Sequence, residues 1–312
     1  MIQQNRQAIY NLVPVFILAA LLRGLPGISS LVYLNGVWND AGGIEFDVSA
    51  KGVAGDFEIT DANPFKDGIS VKDQSFYALT KEQVADLSIF IPLTQNEKSC
   101  NYVLDQYERN IYSALGIIAK FVANVDIAPS ITHLIKNSPN SVKFHNRPLG
   151  TSDLYKDEEF TLDCSLITNF TYLNQAIKKE GVVSSKCIPN VVNIPENVSK
   201  CVDETIEYKT YLKNFTEGRF IAATENTLRE LLIRFGPVYV TDSVVIGWEG
   251  DNFTVVKFND DQVLEVVDEP KSRFVLNVGW VLFEVPDAVA VVKIALKLIL
   301  TAVILPIFAL FI

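Results

Sequence analysis

Histidine is almost missing from this chain: His133 and His145 are the only two in 312 residues. Their spacing, and that of the four cysteines, matches no zinc pattern. Both histidines read as ordinary surface or turn residues. The acidic clusters KDEE (156–159) and NDD (259–261) read as solvated turns, since neither has the ligand spacing of a calcium loop. No metal and no cofactor is expected. Basic runs are missing too. Lys and Arg number 27 against 37 Asp and Glu, a net charge of -10, with no basic block in the middle of the chain. That excludes the electrostatic footprint of a nucleic-acid binder and makes anionic lipid headgroups a poor partner. Low hydrophobicity, the mark of disorder, is also lacking: 49% hydrophobic residues and 11% aromatics supply a buried core for one large or two ordinary domains.

The two ends are apolar. LVPVFILAALL (12–22) follows Arg6 and precedes small residues around Gly27, Ser29 and Ser30, the pattern of a secretory signal over residues 1–29. Its rival is an uncleaved anchor that also uses Leu31 to Leu34, which would set Arg23 near mid-membrane at a cost of about 2.5–3.5 kcal/mol. Residues 286–312 are apolar apart from Lys293 and Lys297. This stretch has the length of a membrane-spanning helix, with both lysines able to snorkel to one interface. A glycolipid-anchor signal is weakened by an apolar spacer where a polar one belongs, and a buried terminal helix is the remaining alternative. A membrane-anchored protein at the cell surface or in an endomembrane, its main domain extracellular or lumenal, is the expectation.

Between these ends, Asn169, Asn197, Asn214 and Asn252 each head an Asn-x-Ser/Thr glycosylation acceptor. In a secretory chain Cys100, Cys164, Cys187 and Cys201 read as disulfides. Residues 102–125 carry an apolar stripe at Ile111, Leu115, Ile118 and Val122, which predicts a helix. A second, short helix ends at Gly181, where a left-handed residue is wanted. TENTLRELLIRFGPVYV (224–240) predicts a third, with Glu230 and Arg234 pairing across a turn and Gly236-Pro237 as its stop. SVVIGWEG and NFTVVKF, joined through Glu249 to Asn252, predict a hairpin.

Four of these stretches, in order, resemble the papain-like (cathepsin L-like) cysteine protease family. Phe76, Leu79, Thr80 and Glu82 fall on the end of its prosegment motif. Gln106 and the I-Y-S-A at 111–114 resemble the glutamine and C-W-A-F that open its central helix. TLDC (161–164) with GVVSSKCIPN (181–190) is similar to its L-L-D-C and following cysteine turn. TLRELLIRFGPVYV and Gly247-Trp248 resemble the lead into its β-rich half. The resemblance implies an α+β, papain-like two-domain fold with a helical left domain and a shortened β-rich right domain. Residues 30–95 would be prosegment-like and 96–285 papain-like, with hydrophobic termini at 1–29 and 286–312. It also implies a Cys164–Cys201 bridge, leaving Cys100 and Cys187 to each other.

The departures fall on the chemistry. Ile111 stands at the nucleophile position, and Thr241 or Asp242 stands where the family has histidine. The G-C-N-G-G after L-D-C is missing, as are some twenty residues before the histidine strand, and no N-S-W-G surrounds Asn277. A thiolate–imidazolium pair cannot be built from these residues. The expected function is that of a catalytically inactive, membrane-attached glycoprotein acting through protein partners or as a subunit of a membrane assembly. An active peptidase with a rearranged nucleophile and a surface glycoprotein of unrelated fold are the alternatives.

Overall fold

A computed structural model describes residues 30–49, 54–151, 155–165, 170–274 and 277–284. The apolar ends and the Asn169 acceptor lie outside the described residues. Among the described residues no helix is long and apolar enough to cross a membrane. The fold is mixed α+β, built on one large antiparallel sheet.

The large sheet has nine strands. In chain order they are β1 (Ser30–Leu34), β4 (Ala54–Glu58), β5 (Ser75–Tyr77), β8 (Phe215–Ala223), β9 (Val238–Val240), β10 (Ser243–Glu249), β11 (Asn252–Phe258), β12 (Leu264–Pro270) and β13 (Asn277–Glu284). The order across the sheet is β12-β11-β10-β9-β13-β8-β1-β4, and β5 pairs with the far half of β10. A second sheet runs β2 (Val37–Trp38), β3 (Ile44–Asp47), β6 (Ser141–His145), β7 (Glu158–Glu159). In it β3 and β6 are parallel, Ile44 level with Val142.

Period-two alternation explains why the large sheet is covered on both faces. Tyr239, Val244, Ile246, Val256, Trp280 and Leu282 point to one side, into a core shared with the helices. Val238, Val240, Val245, Val255, Val281 and Phe283 point to the other, into a second core. The helices that follow are α1 (Lys81–Ala85), α2 (Gln95–Lys98), α3 (Asn101–Glu108), α4 (Ile111–Ala123), α5 (Ile131–Lys136) and α6 (Phe170–Glu180), of which all but α2 contribute to the first core. On the opposite face lies α7 (Glu225–Phe235), which buries Leu228, Leu231, Leu232 and Phe235. Thr80 and Thr94 open α1 and α2 with full capping boxes to Gln83 and Glu97.

Residues 75–93 thread both cores. Phe76 joins the second, while Leu79, Val84, Leu87 and Ile89 join the first. The pairing of β5 depends on Gly247. A Cβ there would lie 2.5 Å from the Tyr77 ring and 2.6 Å from the Phe76 carbonyl oxygen, so only glycine lets the two backbones approach this closely.

Three expectations are corrected. The stripe over 102–125 is two helices, α3 and α4, broken at Arg109–Asn110 because Asn110 takes a left-handed conformation, φ 59°. Asn is the side chain that tolerates this best after glycine. The disulfides are Cys100–Cys164 and Cys187–Cys201, not Cys164–Cys201 with Cys100–Cys187. Cys187 and Cys201 close a small core of their own with Val183, Ile188 and Val198, their Cα atoms 4.4 Å apart. Cys164 instead lies against the start of α3, where Cys100 is its fully buried N-cap. The third concerns His133, which is not a surface residue but is 1% exposed, packed in the first turn of α5. His145 is exposed and paired with Glu45 at 3.0 Å.

The other local expectations agree with the structure. Gly181 follows α6 with φ 79°. Gly236 follows α7, Glu230 pairs with Arg234, and β10 and β11 are joined through Gly250 and Asp251.

Candidate functional site

Among the described residues helix α4 carries the longest unbroken buried run of any helix. Every residue from Ile111 to Ala119 is buried, and its first turn meets the β9–β10 turn of the large sheet. The meeting is fixed by polar atoms inside an apolar surround. The Asn110 amide donates to the carbonyl oxygens of Val256 at 2.8 Å and Asp242 at 3.3 Å. The Tyr239 hydroxyl lies 2.8 Å from the Arg109 carbonyl oxygen and 2.9 Å from the Asp242 carboxylate. Two ring contacts flank the seam. Tyr239 stacks on Trp280 at 4.7 Å between centroids, and Tyr107 of α3 meets Phe258 of β11 at 5.0 Å.

Gln106, Ile111 and Asp242, which the sequence resemblance aligns with catalytic positions, lie on the elements that meet here. Gln106 is buried on α3, its amide nitrogen donating to Asp105 and its carbonyl oxygen unpaired among the described residues. Ile111, 4% exposed, is the first residue of α4. Asp242 is exposed in the left-handed turn formed with Thr241, φ 42° and 62°. Asn110, next to Ile111, makes the contact that joins the two elements. An aliphatic side chain here supplies neither a lone pair nor a transferable proton. Among the described residues the Asn110 side-chain oxygen has no partner, and the side chain makes no helix cap, so both donated bonds serve the seam.

Burial, and next the charge of Asp242, raise the Tyr239 hydroxyl well above the usual phenol range. It stays protonated and donates. The seam binds the helical part to the sheet. Sequence reading missed Asn110 and Tyr239. A polar residue before a long apolar helix and a tyrosine inside G-P-V-Y-V were the available signals.

All four cysteines are in disulfides. The acceptors Asn197, Asn214 and Asn252 are exposed. Asn197 forms a turn in which its side-chain oxygen accepts from the Ser199 amide at 2.8 Å and hydroxyl at 2.6 Å. No cluster of three or more metal-ligating side chains occurs among the described residues. In comparisons with known proteins, no family model, no curated protein and no solved structure matches the chain.

Proposed function

We propose that this chain is a catalytically inactive, papain-like glycoprotein, attached to a membrane, that works by binding a protein partner or as a subunit of a membrane assembly. The observation that carries the reading is Ile111. It opens a buried helix at the seam where the family resemblance puts a nucleophile, and Asn110 and Tyr239 hold that seam shut. Support for the papain-like part comes from the central helix α4 packed against an antiparallel sheet, with α7 leading through Gly236-Pro237 into β9. Two disulfides and three exposed acceptors agree with an extracellular or lumenal main domain. With Cys100 and Cys187 both bonded, a rearranged cysteine nucleophile has no thiol to use.

The test is a peptidase assay on the folded, disulfide-intact protein against unstructured peptide libraries at pH 5 and pH 7. No cleavage above background is expected, and alkylating reagents should change nothing. Turnover that alkylation abolishes would sink the reading. One observation favours a surface glycoprotein of unrelated α+β fold: the Cys100–Cys164 bridge departs from the pairing that the resemblance implies. An experimental structure whose topology superposes on no papain-like protein would select that second reading.

A further inference from the structure

We propose that His133 is an acid-released latch that holds a disulfide-closed lobe, residues 182–211, against helix α5. The lobe is bounded by the Val182–Tyr211 bridge and has its own small core around Cys187–Cys201, on which Tyr208 packs. It docks on the first turn of α5 by four kinds of contact. The Asn190 side-chain oxygen accepts from the amides of Ile131 at 2.7 Å and Thr132 at 3.3 Å. The Val191 amide donates to the Thr132 hydroxyl at 3.0 Å, and the Ser130 amide to the Val183 carbonyl oxygen at 2.8 Å. The fourth contact joins the His133 Nε2 to the Tyr208 hydroxyl at 3.1 Å.

The other ring nitrogen of His133, Nδ1, is buried and has no partner among the described residues. A neutral ring tolerates this, because one of its nitrogens carries no proton. A proton added from solvent makes both nitrogens donors, and one N–H is then buried without an acceptor. Among the described residues no carboxylate acts on the ring. The titratable groups buried on α3 and α6, the helices packed against α5, are Tyr102, Tyr107 and Tyr172. On α5 itself Lys136 is in the last turn. From the lobe Tyr208 faces the ring, and the charge that acts on Tyr208 is Glu180, which lies 4.0 Å from Lys213.

Burial lowers the His133 pKa from 6.5 to about 4. A folded-state value below the undocked one means that docking is fully present above pH 6.5 and weakens as pH falls from there to about 4. With these two values the docking equilibrium shifts by about twentyfold between pH 7 and pH 5. A lobe that docks in neutral surroundings would loosen in an acidified compartment.

Hydrogen exchange on the intact protein tests this, read at the Ser130 and Val191 amides, whose bonds cross the boundary between lobe and α5. After correction for intrinsic exchange, their protection should fall about twentyfold from pH 7 to pH 5. His133→Gln should abolish the pH dependence, and His145→Gln should leave it unchanged. Protection independent of pH, or an equal fall in His133→Gln, overturns the proposal. If His133→Gln does not fold, the wild-type ring is titrated by NMR. A His133 midpoint below pH 5.5 shared by the lobe amides supports the latch, whereas lobe amides that follow His145 refute it.

Discussion

Asn110 combines two roles that usually need two residues. Its backbone takes the left-handed turn that starts α4, and its side chain reaches across to two carbonyl oxygens of the sheet. Asn110→Ala removes both hydrogen bonds, strands two buried or half-buried acceptors, and places a Cβ without local hydrogen bonding in the left-handed region. It should destabilise the protein by about 2–4 kcal/mol. Asn110→Gly keeps the backbone freedom and should cost about 1 kcal/mol less. Urea midpoints at an unchanged slope would measure both, and a neutral Asn110→Ala would remove this residue from the seam. At this scale a residue's chemistry was legible in the sequence and its packing was not. That position 111 holds an isoleucine, which is neither nucleophile nor base, could be read directly. The burial of His133 could not, because a lone histidine in SITHLIKN carries no mark of what packs over it.

Helices α6 and α7 and the β10–β11 hairpin were foreseeable because their ends carry punctuation: Gly181, a Thr224 cap, Gly236-Pro237 and a two-residue turn. The break between α3 and α4 was not, since apolar periodicity runs on through Arg109–Asn110 and only the pull of Val256 and Asp242 on Asn110 interrupts it. Disulfide pairing was illegible for a similar reason. Sequence separation does not say which thiols the fold brings within reach, and the family pattern pointed elsewhere. A digest under non-reducing conditions should yield peptides joining Cys100 to Cys164 and Cys187 to Cys201; a Cys164–Cys201 peptide would restore the pairing implied by the resemblance. Replacing Cys187 and Cys201 together with Ser should cost about 3 kcal/mol, and Cys100 with Cys164 about 4 kcal/mol, because the second bridge closes the longer loop. Thermal melts of the two double variants give the comparison.

Across the whole molecule, the first quarter of the described chain, residues 30–95, belongs to the same cores as the rest. Leu31, Ile59 and Phe76 lie in one, and Leu79, Val84, Leu87 and Ile89 in the other. Burial of each is worth about 1.5–3 kcal/mol, so the seven together contribute about 10–20 kcal/mol, as much as the 5–15 kcal/mol that holds a typical domain folded. A chain beginning at residue 96 should therefore lack near-ultraviolet circular dichroism and a cooperative melt. A cooperatively folded product would show residues 30–95 to be dispensable. Little in β1 or β4 announced their place beside β8, because such long-range pairings leave no local trace. That register also sets where the two ends of the large sheet's chain path lie. Val32 is level with Arg219, and Arg219 with Trp280, so β1 and β13 run in the same direction on either side of β8. Ser30 lies two residues before Val32 and Glu284 four beyond Trp280, which separates them by about 20 Å along the strands. The polypeptide thus enters at one rim of the sheet and leaves at the opposite rim.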